Sequence, residues 1–323
     1  MTLNQFITTL NAWGENRVPF FFFVDFELKK PKVFRLDEVN PSEILFFMNG
    51  FTNAPEYSGK PLTVELKKTP VSFDDYRNRF NKVSYHLGYG DTFLTNLTVK
   101  TPIEINYSLR ELFTISKAKY KLWFNEQFLV FSPETFVQIR ENKIYSFPMK
   151  GTIDARIPNA AEIILQDKKE QAEHVTIVDL IRNDISQVAE QVTVSRFRYL
   201  EEIKTNNKNL LQVSSEVTGT LPVGFHKSLG DILIKLLPAG SVSGAPKPKT
   251  VEVIQKAEGE ERGYYTGVVG YFDGTNLDTG VMIRYIEKAG NQYFYRSGGG
   301  ITTQSQVHSE YEETIDKIYV PID

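Results

Sequence analysis

The sequence predicts an α+β protein, and three observations carry that reading. Short apolar runs bounded by turn residues recur through the first half and again near the end. A long amphipathic stretch covers Ala160 to Ile181, and glycine-rich loops separate helix from strand in the last third. At 323 residues the chain exceeds the size at which single cores stop growing. One large domain of two sublobes, or two domains, is therefore expected.

The first element predicted is a hairpin: Phe20 to Phe26 is an aromatic run, and Val33 to Leu36 returns beside it after Lys29-Lys30-Pro31-Lys32. Asn40-Pro41-Ser42-Glu43 offers a cap, a first-turn proline and an early acid, which predicts a helix through Ile44-Leu45-Phe46-Phe47. From Gly50 to Pro70 the chain is rich in turn formers and reads as a flexible link or insertion. Ser72 with Asp75 resembles a cap, and Phe73, Tyr76, Phe80, Val83 and Leu87 share one helical face until Gly88. Strands are predicted at Phe93 to Val99, Lys121 to Phe124, Phe128 to Phe131, Thr135 to Arg140 and Lys143 to Phe147.

Beyond Thr152 the pattern becomes helical, with Ala172, Val175, Val178 and Ile181 on one side of a single helix. Leu229 to Leu236 reads as a helix that stops at Pro238, and Pro248 opens another through Ala257. Tyr265 to Phe272, Leu277 to Ile286 and Gln292 to Arg296 read as an antiparallel meander closed by Ser297-Gly298-Gly299-Gly300. A last helix begins at Glu310.

Composition excludes several classes of function. Thirty-seven basic residues against 40 acidic ones give a net charge of -3 without a basic stripe, which argues against nucleic acid. With no cysteine, the chain has no disulfide, thiolate metal site or cysteine nucleophile. Met1 to Trp13 lacks the pattern of a secretory signal, and no run approaches the ~20 apolar residues of a membrane span. A cytoplasmic protein without membrane partners is expected, and the sequons at Asn96 and Asn106 read as chance matches.

The residues with chemical potential centre on Pro148-Met149-Lys150-Gly151-Thr152, where Gly151 lets the backbone turn tightly or lie close to a ligand. Lys150 there can be a counter-ion, a nucleophile or a solvated charge. Glu170 and Glu173 stand three apart on a helix and can point at one spot, though Asp167-Lys168-Lys169-Glu170 also has the form of a capping box. With Glu310 and Glu313 they make two Glu-x-x-Glu pairs able to converge on a hard divalent cation such as magnesium, of which only part need touch the metal. The loop Gly240 to Lys247 is not a Walker loop, because no Gly-Lys-Ser/Thr closes it.

Taken together, Ser132-Pro133-Glu134, Pro148 to Thr152, Lys169 to His174 running into Ile177 to Asp184, Gly240 to Lys247, Ile283-Arg284, Gly298 to Ile301, and Tyr311 to Thr314 with Lys317 resemble the chorismate-utilising enzymes. Within them the chain is similar to the synthase components of aminodeoxychorismate synthases, from about Ser72 to the end. The resemblance implies one chorismate-binding domain over 1–323, with 1–71 a shortened N-terminal part and 72–323 the catalytic core. It also implies a two-lobed antiparallel β-sandwich with outer helices. Lysine at position 150 favours the aminodeoxychorismate synthases over anthranilate synthases, which carry alanine there. Leu94 stands where isochorismate and salicylate synthases place a lysine base. The tryptophan-binding L-L-E-S motif is missing, so tryptophan feedback is not expected.

The same resemblance implies roles. Glu134 acts as general acid on the departing C4 hydroxyl of chorismate, Lys150 attacks C2, and ammonia enters at C4. Magnesium sits on Glu170, Glu173, Glu310 and Glu313. Arg284, Tyr265 and the amides around Gly298, Gly299 and Gly300 grip carboxylates, with Gly151, Thr152 and Ser243 completing the substrate site. Gln212 stands where relatives have histidine, which alters one ring contact. Without a cysteine, glutamine-derived ammonia requires a separate glutaminase subunit. An anthranilate synthase-like enzyme and a non-catalytic chorismate-binding subunit are the alternatives.

Overall fold

Helix α1 (Leu3–Glu15) opens the chain in the computed structural model, which describes residues 1–55, 63–204 and 209–322. A capping box between Thr2 and Gln5 starts it, a signal the sequence reading did not use. Strands β1 (Phe20–Val24) and β2 (Lys32–Arg35) form the predicted hairpin. Phe20 and Phe22 face a core under helices while Phe21 and Phe23 face a core between sheets, so the unbroken aromatic run serves a strand buried on both faces.

The helix expected after Asn40 is instead β3 (Ile44–Met48). Asn40 closes a turn, accepting from Ser42 N–H at its side chain (3.0 Å) and from Glu43 N–H at its carbonyl (3.0 Å). Ile44, Phe46 and Met48 then enter the inter-sheet core and Leu45 the opposite one. Pairing with Tyr120–Phe124 buries both faces, which a one-striped helix could not do. In the expected link lie two short strands, β4 (Phe51–Thr52) and β5 (Leu66–Lys68), and positions 56–62 fall outside the described residues.

Helix α2 (Phe73–Tyr89) starts at the Ser72 cap and passes Gly88, because Gly90 takes the left-handed φ of 87° that ends it. Next come β6 (Leu94–Ile105), α3 (Leu109–Ile115), β7 (Tyr120–Phe124), β8 (Phe128–Ser132), β9 (Thr135–Arg140), β10 (Lys143–Ser146) and β11 (Met149–Asp154). At 7 residues α3 is too short to show a periodic stripe.

The single helix predicted over Ala160 to Ile181 is two, α4 (Ala160–Gln166) and α5 (Lys168–Ser186). They break where Asp167 caps α5 by accepting from Glu170 N–H (3.0 Å). The buried side of α5 is His174, Val178, Ile181 and Ile185, while Ala172 and Val175 stay exposed.

The remaining elements are β12 (Glu190–Lys204), β13 (Asn209–Thr220), α6 (Leu229–Leu236), β14 (Gly244–Ala245), α7 (Lys247–Glu258), β15 (Val268–Phe272), β16 (Leu277–Val281), β17 (Tyr285–Ala289), β18 (Gln292–Ile301) and α8 (Val307–Asp316). The expected meander is divided. Strand β16 pairs with β15, but β17 pairs with β18 in the other sheet, and Arg284 at φ 54° lies on the crossing. Gly298 to Gly300 lie within β18 opposite Thr98 to Asn96 rather than after it, and α8 begins at Val307, ahead of Glu310.

One sheet runs β11-β13-β10-β9-β16-β15-β1-β2 with β12 also on β13; the other runs β14-β6-β18-β17-β8-β7-β3-β4 with β5 also on β6. They stack as a sandwich over the inter-sheet core of Phe21, Phe23, Phe46, Leu122 and Val130. Helices α1, α5 and α6 cover the outer face of the first sheet, and α3 that of the second. No helix among the described residues is long and apolar enough to cross a membrane.

Arg262 and Glu258 clamp these layers at one point. Their side chains, each 1% exposed, pair at 2.6 Å. Arg262 also donates to Val242 O (2.8 Å) and Asn96 O (2.7 Å), while Glu258 accepts from Thr98 N–H and Oγ1 (both 2.9 Å). The 240–243 loop is thereby tied to β6. Arg262→Met strands a buried carboxylate and is expected to cost roughly 3–5 kcal/mol, read as a lower denaturation midpoint. The double variant with Glu258→Leu should recover most of it; a single variant as stable as wild type would contradict the clamp.

Candidate active site

Two of the places where the chain passes from one sheet to the other carry Glu134 and Arg284: Pro133-Glu134 between β8 and β9, and Met282 to Arg284 between β16 and β17. Between these crossings, β11, the 240–243 loop, the glycines of β18 and α8 opens a cleft of about 630 Å³. Glu134, Lys150, Gly151, Thr152, Glu170, Tyr265, Arg284, Gly298 to Gly300 and Glu313 all line it. Residues predicted from distant stretches thus meet in one place. A second cavity, about 330 Å³ and lined by Phe93, Leu94, Phe136, Phe147 and Ile177, joins the first at Glu134, Met149, Lys150, Ser241 and Gly300.

Lys150 sits on a bulge in β11 that spans Met149 to Thr152, with Gly151 at φ 85°. Its Nζ lies 2.7 Å from Glu173 Oε2. Burial works to lower the lysine pKa, but the Glu173 hydrogen bond and charge, with Glu170 and Glu313 beyond, outweigh it and hold the ammonium above its ordinary range. Lys150 is therefore a counter-ion among carboxylates as it stands, and any nucleophilic role must begin with its proton passing to a neighbour.

Glu134 is the opposite case. Burial raises its pKa, against the pull of the Ser241 hydroxyl, which donates to Oε1, and of the Arg284 and Lys317 charges. A carboxyl so placed holds its proton more tightly than an exposed one. Tyr265 is 4% exposed, and burial pushes its hydroxyl up to about 12, so the phenol remains a hydrogen-bond donor. Arg284 donates from Nε to the Tyr319 hydroxyl (3.4 Å) and lies over the Tyr319 ring, and among the described residues no carboxylate forms an ion pair with it, so its charge is not neutralised and can meet an anion in the cleft.

The four glutamates approach from two helices. Burial raises the Glu170 and Glu310 pKa values; for Glu313 burial also raises, but the Lys317 charge and hydrogen bond (2.5 Å) prevail and lower it. A methyl placed on Gly299 would lie 3.5 Å from Glu310 Oε2 and 3.6 Å from Glu313 Oε1, so the bare glycine backbone faces this acidic pair. As the side chains stand, no three acidic or imidazole groups among the described residues are gathered tightly enough to hold a metal. An all-oxygen donor set on two helices nevertheless suits magnesium, which takes one or two carboxylates and keeps other ligands.

Two expectations shift in detail. Ser243 is buried with its hydroxyl donating to Ala239 O (2.8 Å), so it shapes the loop and Ser241 faces the cavity instead. Gln212 is buried opposite Thr152 and lines the larger cleft, and Leu94 lines the smaller one. Lys317, quoted in the motif without a role, donates to Gly298 O (2.8 Å) and pins α8 to β18. His174 bonds Ser215 Oγ (2.7 Å), and burial brings it down to about 4, a neutral structural imidazole beside Glu173.

Comparison with known proteins bears on this arrangement. A model of the chorismate binding enzyme family matches residues 28–323. The chain belongs to that family. An uncharacterized PabA-like protein of Haemophilus influenzae is 46% identical over 322 residues, covering 100% of this chain and 98% of the relative. Aminodeoxychorismate synthase component 1 of Bacillus subtilis is 30% identical over 275 residues, covering 80% of this chain and 57% of that enzyme. MenF, the menaquinone-specific isochorismate synthase of Escherichia coli, superposes with a TM-score of 0.73 at 15% identity, over 98% of this chain and 81% of MenF, a likeness of fold.

In this chorismate-binding fold Gly151 admits no side chain. An added methyl would sit 3.0 Å from Glu170 Oε2 at a φ that L-residues avoid. Gly151→Ala is expected to cost roughly 1–3 kcal/mol and to weaken chorismate binding by shifting Lys150. Unchanged stability and affinity, by denaturation and titration, would refute it.

Proposed function

We propose that this chorismate-binding enzyme replaces the C4 hydroxyl of chorismate with an amine, giving 4-amino-4-deoxychorismate, the precursor of para-aminobenzoate in folate synthesis. The observation that carries the reading is that Lys150 and Glu134 both line the place where the two cavities join, one beside a carboxylate able to take its proton and one whose proton affinity burial raises. The relatives named aminodeoxychorismate synthase component 1 support it.

In the proposed reaction the cleft takes the substrate carboxylates at Arg284, Tyr265 and the glycine backbone of β18. Lys150 gives its proton to Glu173 and attacks C2. The ring double bonds shift, the C4–O bond breaks, and Glu134 protonates the leaving oxygen so that water departs. Ammonia then forms the C4–N bond, the double bonds return, Lys150 leaves C2, and the Glu134 carboxylate takes the proton that the new ammonium loses. The net change is chorismate plus ammonia to aminodeoxychorismate plus water. The smaller cavity, which meets the larger one at Glu134 and Lys150, is the proposed way in for ammonia, and a separate glutaminase would supply it. Magnesium, held by some of Glu170, Glu173, Glu310 and Glu313, would supply positive charge for the ring carboxylate.

The direct test is turnover of chorismate by the purified chain with magnesium and ammonium; glutamine should not substitute. Without ammonium, a covalent adduct on a peptide containing Lys150 is expected by mass spectrometry. Lys150→Ala should lose the adduct and most turnover while still binding chorismate. Full amination by that variant, with no wild-type adduct, would leave Lys150 as a counter-ion and favour direct attack by ammonia, as in an anthranilate synthase-like enzyme. Binding without turnover would favour a non-catalytic chorismate-binding subunit.

The pH dependence tests Glu134. An acid must be protonated to act, so turnover should fall as pH rises through its elevated pKa. The Ser241 hydroxyl stabilises the ionised form, so Ser241→Ala raises the pKa further and should move that limb of the kcat profile to higher pH. A shift to lower pH would refute the assignment.

A further inference from the structure

One polar group in the larger cleft remains unmatched. Asn96 lines it, and its Oδ1 is buried with no hydrogen-bond partner among the described residues. Buried amide oxygens are seldom left so, because each unmet acceptor costs a lost bond to water. The backbone that carries it is held on three sides. Asn96 N–H donates to Ser243 O (2.9 Å), its carbonyl accepts from Arg262 (2.7 Å), and Gly300 lies opposite it in β18. Gly300 contributes no side chain, and a methyl placed on it would meet Leu94 Cδ1 at 3.1 Å, so the neighbour of Asn96 across the strand pair brings no polar group to its Oδ1.

Three of the charged groups that share the cleft are already engaged. Glu134 is bound by Ser241, on the loop whose Ser243 carbonyl receives Asn96; Lys150 is paired with Glu173, and Lys317 with Glu313 and Gly298 O. Chorismate offers two carboxylates and an ether, all acceptors, and a single hydroxyl at C4 as its donor. If Glu134 donates to the C4 oxygen, the hydroxyl's own hydrogen needs an acceptor.

We infer that Asn96 Oδ1 receives the hydrogen of the C4 hydroxyl, orienting the leaving oxygen toward Glu134, and afterwards receives an N–H of the new C4 amine. Asn96 is thus a specificity residue for the C4 substituent. This rests on the chorismate reading above.

The test compares affinity for chorismate with that for an analogue lacking only the C4 hydroxyl, by titration against wild type, Asn96→Leu and Asn96→Asp. Leucine keeps the volume and removes the acceptor, so it should weaken chorismate binding about three- to tenfold, the worth of one neutral hydrogen bond, and leave the analogue unchanged. Aspartate keeps the acceptor and loses the amide donor. It should weaken both ligands by charge repulsion while retaining the preference for chorismate. Equal losses for both ligands in the leucine variant, or loss of the preference in the aspartate variant, would overturn the inference. If the leucine variant fails to fold, the aspartate result alone decides. A wild type that binds neither ligand would overturn the chorismate reading and this inference with it, whereas binding with equal affinity for both would overturn the inference alone.

Discussion

The site depends on two places where the chain leaves one sheet for the other, between β8 and β9 and between β16 and β17. A continuous strand pair satisfies its backbone groups along its length; a crossing cannot, so the segments at Glu134 and at Met282 to Arg284 must find partners across the gap. They do so locally: Val281 N–H donates to Glu134 O (3.1 Å), Met282 N–H to Gly267 O and Thr266 N–H to Met282 O (both 2.8 Å). With the backbone satisfied there, the side chains of Glu134, Tyr265 and Arg284 are released into the space between the sheets. The cleft is the region the strands vacate.

Two glycine positions let other elements approach that space. Gly151 at positive φ bulges β11 so that Lys150 projects among the α5 glutamates, and the bare backbone of β18 from Gly298 to Gly300 lets α8 bring Glu310 and Glu313 close. Lys317 and the Arg262–Glu258 clamp then prevent these pieces from drifting, one holding α8 to β18 and the other holding the 240–243 loop to β6. A site assembled from many separate segments is positioned by rigid neighbours rather than by its own loops.

The electrostatics divide the labour between the two reactive groups. Lys150 is surrounded by negative charge and stays protonated despite its burial; Glu134 is buried among weaker partners and rises. Both environments raise proton affinity, the first through neighbouring negative charge and the second through burial. In the proposed reaction the first step is therefore proton transfer from Lys150, with Glu173 at 2.7 Å as the acceptor.

By itself the sequence determined the class of fold, most of the strands, and a set of residues of which most come to line one cleft. The aromatic alternation of Phe20 to Phe23, the Ser72 cap and the spacing of the glutamates are local signals that survive folding unchanged. It misjudged segments whose local signals tertiary structure overrides. Asn40 to Glu43 has the grammar of a helix start, yet burial on both faces made Ile44 to Met48 a strand; Leu277 to Ile286 reads as one strand, yet the sandwich splits it between two sheets. Only the tertiary structure decided that Ser241 rather than Ser243 meets Glu134, that Lys150 is charged, and that Asn96 is left without a partner. The reason is physical: periodicity records which face of an element is buried, but proton affinity and hydrogen-bond satisfaction depend on groups from distant segments that only the crossings bring together.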